Sequence, residues 1–378
     1  MNIGIVTQSF FPVRGGVSQH VFHTADELRR RGHQVTVITT NFTPFDHEHD
    51  HDLDVVRLGF NVTVPSNGSY SHFTVVSRLE KRLRQIEKDR QFDIVHIHCP
   101  LDPILPYNAA KTFSCPKVGT FHASTANERS FWYDYFSWYW RPNFKRLDTL
   151  LAVSSRARQF ANKYFPGDYK IIPNGVDIKR FTADGEPQPG VRQGNDPVIM
   201  CIGRLSPRKG IRYFISAMPY IVKEIPNAQL VVVGGGFLMS YYKGFILPSV
   251  RQNIRFTGYA TEAELPRYYS AADICCFPST GAESFGIVLI EAMASGKPVI
   301  ASAIPGYDGV VTHEHDGFLV PPKQPKLLAR AIIDLIKDPD RQKRYIAEGL
   351  KTAEQYSWDR VVDQLEEAYQ QTIEKKKQ

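Results

Sequence analysis

The sequence predicts an α/β chain built as two doubly wound domains in tandem. Three observations point there. Short β-rich runs alternate with stretches of helical periodicity, which implies parallel strands joined by right-handed crossovers. A Gly-, Pro- and polar-rich stretch, "TADGEPQPGVRQGNDP" at 182–197, interrupts the series, which then restarts. The 378 residues also exceed what one hydrophobic core usually organises. Each half is therefore expected to be Rossmann-like, with a ligand at the strand C-termini facing a cleft.

In order, "NIGIVTQ" is the first strand. A glycine turn at Gly15–Gly16 leads into the helix "VSQHVFHTADELRRRG", which Gly32 closes. "QVTVITT", "DVVRL", "FDIVHIH", "PKVGTFH" and "TLLAVS" follow as strands, with helical stretches between several of them; 60–73, "FNVTVPSNGSYSHF", reads as a polar-aromatic loop. These make a domain 1–181, followed by the linker 182–197. The second domain, 198–356, runs through "VIMCIGR", the helix "GIRYFISAMPYIVKEI", "AQLVVVGGG", "NIRFTGY", "DICCFPS", a helix around Glu291, "PVIAS" and "GFLVPP". In 357–378, Trp358, Val361, Val362, Leu365 and Ala368 recur at helical spacing.

Composition is that of an ordinary globular protein, 42% hydrophobic and 22% charged, which excludes a disordered chain. No apolar run approaches the ~20 residues of a membrane span, and the first residues lack a basic, cleavable leader, so a cytoplasmic protein is expected. Five scattered cysteines, with Cys275–Cys276 inside an apolar run, agree with free core thiols; the sequons at Asn41, Asn61 and Asn67 are then chance matches. A net charge of +7 suits polyanions, membrane surfaces or anionic small ligands. Without zinc-finger spacing, an RNA-binding aromatic motif or a basic recognition helix, no nucleic-acid partner is expected.

The working residues of such sheets lie just after strands. Gly15–Gly16 reads either as a plain turn or as a place where a phosphate meets backbone and a helix N-terminus. "FHAS" puts His122 at a strand end, as a structural or a site histidine. "RLSPRKG" puts Arg204 and Lys209 on a loop, solvated or gripping a diphosphate. In "GAESFGIVLIE" a helix beginning near Gly286 would aim free N–H groups at an anion. Glu283 on the loop can accept from sugar hydroxyls, and Glu291, a turn and a half into the helix, matches a ribose diol. The stretch "FDHEHDHDLDVV" at 45–56, with His47, His49 and His51, precedes its strand and reads as a solvated loop.

Two segments bear on a membrane. Residues 78–90 form a helix with Leu79, Leu83 and Ile86 on one stripe and Arg78, Lys81, Arg82, Arg84 and Lys88 around it, docking on anionic lipid or packing on its own domain. "FWYDYFSWYW" at 131–140 has eight aromatics in ten residues, for a membrane interface, a core or an oligomer contact.

The spaced pair "ESFGIVLIE", with "GRLSPRKG", "IIPNGVDIKRF", "GTFHAS" and "FFPVRGGVSQHV", resembles the family 4 retaining glycosyltransferases of the GT-B fold over residues 1 to about 360. Among them the "GAESFG" and "FHAS" regions are most similar to bacterial phosphatidylinositol mannosyltransferases, with Ala282 a departure in the loop. The resemblance implies a donor site. Gly15 and Gly16 would lie against the donor phosphates, and Arg204 and Lys209 would grip the diphosphate. His122 would contact the transferred sugar and Glu283 hold its hydroxyls. Ser284, Phe285, Gly286, Ile287 and Val288 would offer backbone groups, Glu291 would hold the ribose, and the base would lie near Gly234 and Tyr259. It also implies a last helix returning to the first domain, closure by a hinge, and front-face displacement without a carboxylate nucleophile, cofactor or metal; Asp52–Leu53–Asp54 only superficially matches the metal motif of the other glycosyltransferase fold. GDP-mannose is the favoured donor, UDP-sugars the alternative. The acceptor is phosphatidylinositol or a related lipid at the cytosolic membrane face, or else a soluble polysaccharide or sugar conjugate. A non-catalytic sugar-nucleotide sensor is a minor alternative. A dinucleotide oxidoreductase is disfavoured, since "TQSFFPVRGG" stands where G-x-G-x-x-G would.

Overall fold

The computed structural model describes residues 1–13, 15–42, 52–66, 69–122, 131–192 and 194–377, and among these not the side chains of 63–66, 69–72 and 131–132. The chain forms two compact units, Met1–Gly175 with Trp358–Gln378, and Val176–Ser357.

The first unit runs β1 (Asn2–Val6), α1 (Gly16–Arg30), β2 (Gln34–Thr40), β3 (Asp54–Leu58), β4 (Phe60–Ser66), β5 (Ser69–Val75), α2 (Leu79–Arg90), β6 (Ile94–His98), α3 (Leu105–Thr112), β7 (Lys117–Phe121), α4 (Phe131–Phe144), β8 (Thr149–Ala152), α5 (Ser155–Tyr164) and β9 (Tyr169–Ile171). Seven of its strands make a parallel sheet in the order β3-β2-β1-β6-β7-β8-β9. Every residue of β6 and β7 is buried, as strands covered on both faces require. The order reverses between β1 and β6, and a crevice at such a switch point is where this architecture binds ligands.

The second unit runs β10 (Val198–Ile202), α6 (Ile211–Glu224), β11 (Gln229–Val233), α7 (Met239–Lys243), β12 (Ile254–Gly258), α8 (Glu264–Ala271), β13 (Ile274–Phe277), α9 (Ile287–Ala294), β14 (Val299–Ser302), β15 (Phe318–Val320), α10 (Pro325–Ile336) and α11 (Pro339–Gln355). Its six strands are parallel, in the order β12-β11-β10-β13-β14-β15, with the reversal between β10 and β13.

Helix α12 (Trp358–Lys377) belongs to the first unit. Its apolar stripe, Trp358, Val361, Val362, Leu365, Ala368 and Tyr369, is buried among Ile3, Ile5, Val21, Ala25, Ile94 and Val118. Arg31 at the end of α1 secures it with ion pairs of 2.6 Å to both Asp363 and Glu366.

Two segments differ from expectation. The stretch 182–197 packs on the second unit: Val191 lies in its core, as does Phe181 just before the stretch, the Gln188 amide donates to the Arg267 carbonyl at 2.8 Å, and Arg192 pairs with Asp273 at 2.5 Å. The chain passes between units at Gly175–Val176 and Ser357–Trp358 instead. The expected loop 60–73 is a hairpin, β4 antiparallel to β5 with Phe60 opposite Val75.

Candidate active site

In the second unit four strand ends supply the residues. β13 stops at Phe277, and the chain turns through 278–286 into α9. Gly286 caps that helix at φ 97°, and a Cβ there would stand 2.7 Å from the Tyr307 ring, so only glycine fits. Ala282 also takes a left-handed conformation, φ 58°, with its carbonyl accepting from the Arg208 guanidinium at 2.8 Å. Phe285 is buried against Tyr356, while Ile287 and Val288 are partly buried on the unit's core.

Glu283 is buried and already paired. Its Oε1 lies 2.8 Å from Lys209 Nζ and 3.2 Å from Arg208, and it accepts from Ser279 Oγ at 3.3 Å; Ser279 in turn bonds the Tyr307 hydroxyl. Burying this carboxylate therefore needs no ligand. All three contacts fall on Oε1 among the described residues, so Oε2 retains its capacity to accept a hydrogen bond. Lys209 and Arg208 come from a single 3-10 turn, Pro207–Lys209, after β10, and Arg204 is exposed at the head of the same loop.

Glu291 accepts from the Tyr269 hydroxyl at 2.8 Å. Burial raises its carboxyl to about 7, against the pull of that bond and of the Arg180 charge. At the end of β11, Gly234 has φ 138°, and a Cβ would meet the Gly203 carbonyl at 2.0 Å. Tyr259, after β12, is 75% exposed, with its ring over Gly235. An exposed aromatic beside bare backbone suits a stacked base.

In the first unit, Gly15 caps α1 and Gly16 opens it; a Cβ on Gly15 would meet nothing within 4 Å among the described residues. Beyond it stands a cluster of buried imidazoles. His20 of α1 donates from Nδ1 to Asn174 Oδ1 at 2.9 Å. His96 and His98 share a face of β6, and His122 follows β7. His98 Nδ1 and His122 Nε2 are 2.9 Å apart, while His96 bonds Tyr369 at 2.7 Å and Thr120 at 2.6 Å. Burial lowers all four: His20 to about 4, His96 to about 3, His98 and His122 well below the usual value. They are neutral near pH 7. His20, His98 and His122 bring ring nitrogens within 4.8 Å of one another, the grouping that most nearly suits a metal ion among the described residues. A small cavity beside His122 is lined by Cys99, Leu101, Asp102 and Tyr133, and desolvation raises Asp102 to about 7. Residues 43–51, with His47, His49 and His51, lie outside the described residues.

Two family models match the chain: Glycosyltransferase Family 4 over residues 14–180 and Glycosyl transferases group 1 over 184–352. A phosphatidyl-myo-inositol mannosyltransferase of Mycobacterium leprae is 32% identical over 98% of this chain and 96% of its own. The one from Mycobacterium tuberculosis H37Rv is 33% identical over 98% and 97%. The chain is a family 4 glycosyltransferase. Among solved structures, sucrose-phosphate synthase from Thermosynechococcus elongatus superposes with a TM-score of 0.77 at 23% identity, covering 98% of both chains. Anabaena HepE in complex with UDP-glucose gives 0.74 at 20%, covering 98% and 99%. The fold of this glycosyltransferase is accordingly GT-B.

The geometry of the glycosyltransferase brings Lys209 to Glu283, and Gly234 close to Tyr259 through Gly235. Its sequence concealed Arg208 and Tyr269, the partners of the two carboxylates. His20 and His98 were also missed, although "HIH" at a strand end, two residues apart and hence on one face, was a usable signal. The apolar stripe of helix α2 packs inward, with Leu79 and Leu83 buried in the enzyme's own core, while Arg78, Lys81, Arg82 and Arg84 are exposed. Helix α4 divides. Tyr133 and Trp140 pack inward, and Tyr135, Phe136, Trp138 and Tyr139 are exposed. No helix among the described residues is long and apolar enough to cross a membrane.

Proposed function

We propose that the enzyme transfers mannose from GDP-mannose, with retention and without a metal ion or cofactor, to an inositol hydroxyl of phosphatidylinositol or a related lipid. It works as a peripheral protein on the cytosolic face of the membrane. The observation that carries this reading is the likeness, 32–33% identical across nearly the whole chain, to several phosphatidyl-myo-inositol mannosyltransferases.

The site residues have roles that fit. Arg204, Lys209 and Arg208 face the diphosphate together with the N-terminus of α9, stabilising charge as the bond from the anomeric carbon to phosphate oxygen breaks. The acceptor oxygen bonds that carbon on the same face, and its proton passes to the departing phosphate oxygen. Glu283 Oε2 holds sugar hydroxyls, Glu291 holds the ribose, and Tyr259 stacks on the base. Gly15 and Gly16 admit the phosphates. His122 meets the transferred sugar. The exposed cations of α2 and aromatics of α4 favour an anionic bilayer surface.

The test is transfer of labelled sugar from GDP-mannose to phosphatidylinositol vesicles, with UDP-sugars, soluble acceptors and a chelator in parallel. Label extracted into organic solvent from GDP-mannose, undiminished by chelator, is expected. Label passing only from a UDP-sugar, or only to soluble acceptors, would overturn the donor or the lipid assignment respectively. Activity abolished by chelator and restored by Mn²⁺ would overturn metal independence.

A further inference from the structure

His122 does not stand alone, and the groups around it decide which of its nitrogens carries the proton. β6 and β7 are parallel neighbours with His98 level with Thr120, so the side chain of His98 and that of His122, one residue beyond β7, meet at the ends of their strands. The contact is His98 Nδ1 to His122 Nε2, 2.9 Å. One of these nitrogens donates and the other accepts.

The surroundings choose between the two. Among the described residues, His98 Nε2 is buried with no partner. If His122 donated, His98 would be the Nε2–H form and would bury an orphaned donor, which folded proteins rarely tolerate. If His98 donates, it buries only an unused lone pair, the lesser penalty. His96 cannot reverse this, because both its nitrogens are engaged by Tyr369 and Thr120, while its ring leans on His98 with centroids 4.1 Å apart. His20 gives its Nδ1 proton to Asn174, so its Nε2, unpartnered among the described residues, carries a lone pair and has no proton to offer His98 or His122. Of the three grouped rings, His98 and His20 are 0% and 1% exposed, and His122, at 9%, is the most exposed.

We propose that His98 is a positioning residue that fixes His122 as the Nδ1–H tautomer, so that His122 meets the sugar as a hydrogen-bond donor and not as a base. This rests on the reading of His122 as a sugar contact. It deepens that reading by assigning the direction of the bond: the ligand atom at His122 is an acceptor, a sugar oxygen. Among the described residues, the titratable groups facing His122 are His20, His96 and His98, with Asp102, Cys99 and Tyr133 along the adjoining cavity. Burial keeps the histidines neutral, so the tautomer, not a charge, carries the effect.

The experiment is nitrogen NMR of the full-length protein with ¹⁵N-labelled histidine, His122 being assigned by loss of its signals in His122→Ala. The wild type is expected to show His122 protonated at Nδ1. His98→Leu removes the donor, and His98→Asn places an amide N–H near the position of Nδ1. His98→Leu is expected to release His122 into mixed tautomers and to lower kcat about 10- to 100-fold with little change in donor KM. His98→Asn should restore both the tautomer and most of kcat, which a merely structural defect would not allow. In a His122→Ala background, His98→Leu should cost nothing further. Wild-type His122 protonated at Nε2, or a tautomer unmoved by His98→Leu, would overturn the positioning role. Full transfer by His122→Ala with the tautomer results intact would instead overturn the sugar contact alone.

Discussion

Glu283 gathers Lys209 and Arg208 onto one carboxylate oxygen, which holds the two cations side by side at the loop after β10, as the proposed grip on a diphosphate requires. Removing the carboxylate frees two side chains of high rotamer entropy. Glu283→Ala is therefore expected to lower turnover about 10²- to 10³-fold, with Glu283→Gln intermediate because it keeps shape and one acceptor. Steady-state kinetics decides it; a variant within threefold of wild type would refute the role. Glu291 yields a pH effect. Its folded value near 7 lies above the ordinary 4.5, so between those values the folded chain binds the extra proton. Stability is then greatest below about pH 4.5 as far as this group is concerned, and falls as pH rises towards 7, by about 3 kcal/mol. Glu291→Gln should flatten that slope in denaturant titrations. With Glu291 at the ribose as proposed, the ionised carboxylate is the better acceptor for two hydroxyls, so GDP affinity by calorimetry should tighten more steeply with rising pH through 7 in the wild type than in the variant. Both carboxylates could be picked out from their apolar setting. Their partners could not: Lys209 and Tyr269 lie 74 and 22 residues away along the chain, and only folding brings them in.

At the scale of elements, the central parallel strands were readable because β6, β7 and β10 are buried on both faces and so appear as short apolar runs between helices. The hairpin was not. Its two strands mix Asn, Thr, Ser and His with exposed Phe60, Val62 and Val75, and this composition resembles a loop unless the alternation and the Asn67–Gly68 turn signal are weighed together. The three-residue β9 is too short to show a period. Helices α2 and α4 present different surfaces, and the difference can be tested by vesicle flotation. Charge reversal of Lys81, Arg82 and Arg84 to Glu should weaken binding to anionic vesicles, more at low than at high salt, because each cation contributes about 1 kcal/mol near the surface. Trp138→Ala with Tyr135→Ala should weaken binding at either salt. Neither variant replaces a buried side chain, so thermal stability should be little changed. Equal flotation of all three proteins would remove α2 and α4 from the membrane surface.

For the whole molecule, the notable fact is that one unit is continuous in sequence and the other is not. The helical stripe of 358–368 was legible, but its destination was supplied only by resemblance to a family. The linker was misplaced because Gly, Pro and polar residues also make irregular chain that packs, as 182–197 does through Val191 and Arg192. Truncation after Ser357 would strip Trp358, Val361, Val362, Leu365 and Tyr369 from the core of the first unit alone. Calorimetry of that variant should show the first unit melting early or absent and Val176–Ser357 melting near its former temperature; a single lowered transition would show that the units do not unfold separately. The same discontinuity sets a schedule during synthesis. Residues 1–175 leave the ribosome first, yet about 200 more must be translated before α12 is complete. At ~5–20 residues per second that is a wait of roughly 10–40 s. Through it the surface of Ile3, Val21, Ala25 and Val118 that α12 later covers stays open to chaperones or to other nascent chains. The half of the enzyme begun first is thus finished last, and its yield in a cell depends on what shields that apolar face meanwhile.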